Sequence, residues 1–131
     1  LTLLSDIKKI KKFNKPIVMP KSILSKKIIS KLNSSKILDY GVGISENKFE
    51  IYEKCSSVPK LYTVAYALSV ATSGQAKRIL LAGFDGYGSE DRRTKIVDNI
   101  FYLYSSNKKA KKLLGITPSS YSFDTKSVFA I

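Results

Sequence analysis

The chain has 131 residues, 44% of them hydrophobic and 25% charged, which suits one folded domain with its own core and excludes a disordered chain. Its net charge of +13 comes from twenty lysines against only Arg78, Arg92 and Arg93; phosphate recognition favours the planar arginine fork, so nucleic acid is set aside as partner. No apolar run approaches the ~20 residues that span a bilayer, Cys55 stands alone, and the absence of histidine removes His-containing metal sites and the commonest general base.

Cytoplasmic residence is the default for such a chain. Leu1 in place of an initiator methionine reads as the start of a piece of a longer protein, with 1–131 as a single α/β domain at its C-terminal end.

From the N-terminus, Leu3, Leu4, Ile7, Ile10 and Phe13 recur at helical spacing among lysines and predict an amphipathic helix over 3–13. Asn14, Lys15 and Pro16 stop it. "PIVMP" then reads as a short edge strand between two prolines. "KSILSKKIISKLN" predicts a second helix with Ser22 as its start signal. Residues 1–36 carry ten lysines and one acid, Asp6. "SKILDYGVGI" predicts a strand from Lys36 to about Tyr40, ended or bent by Gly41 and Gly43. "KFEIYEKC" alternates as a half-buried strand does, and a hairpin around Ser45 to Asn47 joins the two.

Pro59 suits a first helical turn. A helix from Lys60 to about Ser73 follows, apolar on nearly every side and closed by Gly74 as its C-terminal cap. "RILLAGF" is a continuous apolar run, the pattern of a central strand covered on both faces. "TKIVDNIFYLYSS" predicts another amphipathic helix, and "NKKAKKLLG" either extends it or forms a basic loop. "GITPSS" and "SVFAI" are short strand candidates. Helices alternating with apolar strands indicate a Rossmann-like, three-layer α/β domain with a mainly parallel sheet, mixed if the hairpin forms.

In such sheets ligands sit beyond the carboxyl ends of the strands. Four segments fall there: Tyr40 and Gly41; Ser56 and Ser57; Phe84, Asp85, Gly86, Tyr87 and Gly88; and Thr117, Pro118, Ser119 and Ser120. Asp85 is the sharpest candidate, since a carboxylate after a buried strand can accept from a ribose hydroxyl, hold a hydrated metal or brace its own turn. Gly86 and Gly88 would let backbone N–H groups approach a phosphate. Ser56 and Ser57 suit an anion site or an ordinary helix cap. Glu90 to Arg93 reads as a helix entry complementing the dipole. Cys55, with no histidine to activate it, reads as a buried structural thiol.

"AYALSVATSGQAKRILLAGFDGYG", taken with "GITPSSY", is similar to the C-terminal half of a family of bacterial sialyltransferases. The resemblance implies a Rossmann-like fold holding a cytidine nucleotide sugar near Gly83, Phe84, Asp85, Tyr87 and Thr117 to Ser119. The family's catalytic histidine has no counterpart here, because Gly88 leads straight into a helix. The whole chain, through "LDYGVGI" and "ILLAGFDGYG", also resembles the C-terminal module of surface-polysaccharide proteins with an aldolase-like N-terminal domain of the hydroxymethylglutaryl lyase and hydroxy-oxovalerate aldolase class. That resemblance implies a partner domain in the same chain, which would hold any divalent metal and the lyase chemistry, and no cofactor in these 131 residues.

The leading expectation is a non-catalytic or vestigial module that binds a nucleotide, nucleotide sugar or sugar phosphate beside such an aldolase. The alternatives are a sialyltransferase-like enzyme using Asp85 or Tyr87, and an interaction or homo-oligomerisation domain working through its lysine-rich first third.

Overall fold

Helices and short strands alternate along the chain in the computed structural model, which describes residues 2–32, 36–88 and 90–130. The chain divides into two units, 1–42 and 43–131. The strands form three small sheets, with parallel and antiparallel pairs both present. The fold is α/β in this coarse sense.

In the first unit, α1 (Thr2–Phe13) ends where Asn14 takes a left-handed φ of 45°, a conformation that asparagine tolerates. β1 (Ile17–Met19) pairs in parallel with β2 (Ile37–Asp39), Ile17 opposite Ile37. The single helix expected over 21–33 is interrupted. A 3-10 turn, Lys21–Ile23, begins with the Asp39 carboxylate accepting from the Lys21 amide at 2.9 Å. Leu24 is extended, and α2 (Lys26–Leu32) starts at Ser25 rather than Ser22: the Ser25 carbonyl accepts from the Ile28 and Ile29 amides, and its hydroxyl from that of Ile28. Position 33 lies outside the described residues.

β3 (Gly41–Ile44) leads into the second unit, and the sheet there runs in the order β3-β5-β4. β4 (Glu50–Ile51) and β5 (Cys55–Val58) are antiparallel, and the Tyr52 amide donates to the Cys55 carbonyl at 2.9 Å. The hairpin therefore turns at 52–54, and 45–47 is a turn between strands that are not neighbours. This register leaves Cys55 exposed rather than buried. α3 (Thr63–Ser73) begins three residues after the expected start. At its far end Gly74 keeps a φ of −74°, and Gln75 takes the left-handed φ of 57° instead. The Gln75 amide then reaches the Thr72 carbonyl and the Ala76 amide that of Ala71, the paired bonds of a Schellman close.

β6 (Ile79–Leu81) pairs in parallel with β7 (Leu113–Gly115), and α4 (Arg92–Ser105) connects them as a βαβ unit. Among the described residues β6 has that one partner, so it is an edge strand and not the central one; Leu80 is 39% exposed. The basic segment after α4 is a loop, and Val128–Ala130 forms a 3-10 turn where "SVFAI" suggested a strand.

Aromatic side chains fill the core of this unit. Phe101 meets Phe84, Tyr121 and Phe123 edge-on at 5.8, 5.3 and 5.0 Å between ring centres, geometry worth about 0.5–1.5 kcal/mol per pair beyond burial. The buried Tyr104 hydroxyl lies 2.7 Å from Thr72 Oγ1 and accepts from the Lys111 amide at 2.9 Å. One hydroxyl thus ties α3, α4 and the loop before β7 together. No helix among the described residues is long and apolar enough to cross a membrane.

Candidate functional site

Two loops meet at the carboxyl ends of β6 and β7. After Leu81 the chain reverses through Gly83 (φ 72°) and Gly86 (φ 101°), values that an L side chain enters only at a cost. The loop after β7 holds it in place. The Gly83 amide donates to Thr117 Oγ1 at 2.9 Å, Ser119 Oγ donates to the Phe84 carbonyl at 2.6 Å, and the Ser120 amide reaches the Asp85 carbonyl at 3.2 Å. Ser119 Oγ also accepts from the Tyr121 amide at 3.2 Å, while Ser120 Oγ fills the space a Cβ on Gly86 would need. The hydroxyls of 117–119 are thus engaged with backbone.

The 83–87 loop closes one end of a groove of about 640 Å³, within the range of small-molecule sites. One wall is α3, presenting Tyr62, Thr63, Val64, Ala67 and Ala71; opposite are β6 and the loop residues Gly83 to Tyr87. Val97 and Tyr121 contribute from behind. The lining is mostly apolar, and Asp85 is its one charged residue. Among the described residues no hydrogen bond or ion pair engages the Asp85 carboxylate, which is exposed to solvent. α3 opens onto the same groove without a side-chain cap, so amides of its first turn lack an intrahelical acceptor.

The Arg93 guanidinium lies at the rim, 4.2 Å from the centre of the Tyr87 ring. Asp91 caps α4 through the Arg93 amide at 2.8 Å and takes Nε and Nη2 of the same residue at 3.0 and 2.6 Å. The hydrogen bonds from Arg93 hold the Asp91 carboxyl below its ordinary range and push the guanidinium up in return. Burial pushes the Tyr121 phenol up from its ordinary range.

Of the residues singled out by sequence, Gly83, Phe84, Asp85, Gly86 and Tyr87 line the groove together. Thr117, Ser119 and Ser120 stand behind them as braces. Gly88 lies outside the lining, its carbonyl accepting from the Asp91 amide. Ser56 is 4% exposed, its hydroxyl buried without a hydrogen-bond partner among the described residues, and Ser57 pairs with Glu50 in the β4–β5 ladder; neither lines the groove. Tyr40 and Gly41 belong to the first unit, where Tyr40 is buried. Sequence reading missed the α3 wall. Its signal was a helix apolar on nearly every side, which has a second face to cover after Ala65, Leu68, Ser69 and Thr72 are buried.

No protein-family model matches the chain, and no curated protein or solved structure does either.

Proposed function

We propose that residues 43–131 form a binding module of Rossmann-like design whose groove takes a nucleotide, nucleotide sugar or sugar phosphate. One observation carries the reading: a carboxylate engaged by no group among the described residues stands in an apolar groove at the carboxyl end of a parallel strand. A ligand at that place can put a ring against the α3 and Phe84 surfaces, donate hydroxyls to Asp85, and find amides at the start of α3.

Binding fits the geometry better than turnover. A catalytic base is oriented by a further group, and none among the described residues holds Asp85. By the resemblance to aldolase-associated modules, any bond-making chemistry would belong to a neighbouring domain.

The test is calorimetric titration and thermal shift of the 131-residue chain with nucleotides, nucleotide sugars and sugar phosphates, repeated on Asp85→Asn. A ligand at a hundred times its Kd should add about 2.7 kcal/mol to stability, and the substitution should weaken binding about tenfold or more, the loss expected for a hydrogen bond to a charged group. Equal responses from the two proteins, or none from either, would overturn the reading.

A further inference from the structure

We infer that the groove grips its ligand by an uncharged ring bearing neighbouring hydroxyls, a ribose or a pyranose, and leaves any phosphate outside. This rests on the binding reading above and names the part of the ligand that is recognised.

The distribution of charge points this way. The chain carries 23 cationic side chains, yet none of them is among the residues lining the groove, where the single charge is the Asp85 carboxylate. A phosphate seated beside that carboxylate would meet a like charge and be repelled. Arg93, the cation at the rim, is already bound through Nε and Nη2 to Asp91, so the pair presents little net charge to the groove.

Asp85 suits hydroxyls. An ionised carboxylate only accepts, and its two oxygens can take protons from two adjacent hydroxyl groups. The rings of Tyr62, Phe84 and Tyr87 and the side chains of Val64 and Ala67 give the C–H face of a sugar an apolar surface to displace water from. The tyrosine hydroxyls can both donate and accept. The one feature favouring an anion is the uncapped start of α3, and it makes the question decidable: a phosphate held there must add affinity, and that gain must fall with salt.

The experiment titrates the 131-residue chain with the four ribonucleosides, their 5′-monophosphates and diphosphates, and the methyl pyranosides of glucose, galactose and N-acetylglucosamine. At least one neutral probe should bind, with each phosphorylated form of it within about threefold in Kd and little change between about 50 and 300 mM salt. Nucleosides against methyl glycosides separate ribose from pyranose. Removing the 2′ and 3′ hydroxyls, or making Asp85→Asn, should each weaken binding about tenfold, with circular-dichroism melting confirming that the variant is folded. If phosphates tighten binding more than about tenfold and salt removes the gain, the neutral-ring inference is wrong while the binding module stands. If no probe binds at any phosphorylation state, the binding reading itself falls.

Discussion

The loops that follow β6 and β7 are built from similar small and polar residues, yet their side chains have opposite fates. In 117–121 the hydroxyls of Thr117 and Ser119 are bonded to main-chain groups of the neighbouring loop. In 83–87 the backbone is held from outside, and the Asp85 carboxylate is left to solvent. The second loop can keep a functional group free because the first supplies its hydrogen bonds. A polar residue at a strand end is thus informative about binding only after its neighbours' needs are met.

The comparison breaks most severely at Gly86. Alanine there would have to hold a φ of 101° and displace Ser120 Oγ, so Gly86→Ala should cost about 2–3 kcal/mol in urea unfolding and abolish ligand binding. Gly88→Ala, with open space around its Cβ position and no positive φ, should stay within about 0.5 kcal/mol of the parent.

Removing a brace is the next largest effect. Ser119→Ala deletes the donor to the Phe84 carbonyl and the acceptor for the Tyr121 amide, and should lower stability by about 1–2 kcal/mol. It should also weaken ligand binding indirectly, and Ser119→Thr should restore part of both.

Acid should act more gently, through the charged entry of α4. The folded Asp91 carboxyl is held below its ordinary range by Arg93, so its contribution is present above the unfolded value and lost as pH falls through the lower folded one. Protection of the amides at the first turn of α4, taken relative to their intrinsic exchange rate at each pH, should therefore fall over that acid interval, and this fall should be absent in Asp91→Asn. Equal protection across the interval in the parent would contradict the assignment.

The smallest stability change is expected at the residue whose side chain meets the ligand. Asp85→Asn breaks no hydrogen bond or ion pair among the described residues, so its unfolding midpoint should correspond to less than about 0.5 kcal/mol of change. A destabilisation comparable to Ser119→Ala would show that Asp85 is another brace, and the contrast between the loops would disappear.

Local chemistry made much of this legible in the sequence. The spacing of Ile7 and Ile10, or of Val97, Ile100, Phe101 and Tyr104, sets helix faces without reference to distant residues, and α1 and α4 lie where that periodicity puts them. The glycines around Asp85 marked a turn that does need positive φ at Gly83 and Gly86. Pairing was harder to read. That β5 turns back on β4 at 52–54, that β6 lies at an edge, and that Gln75 rather than Gly74 takes the left-handed position depend on competing long-range packing. The hydroxyls at Thr117 and Ser119 were visible, but their donor and acceptor lie 34 and 35 residues earlier. Composition could not show whether they were free or engaged.

The open flank of β6 has a consequence for handling the protein. Leu80 is both part of that unpaired edge and part of the groove wall, and an apolar strand with vacant amides and carbonyls invites a foreign strand to add to it. A molecule seated in the groove shields the same leucine. Resistance to clumping on concentration should therefore rise and fall with ligand occupancy, and a lysine introduced at position 80 should give that resistance without any ligand.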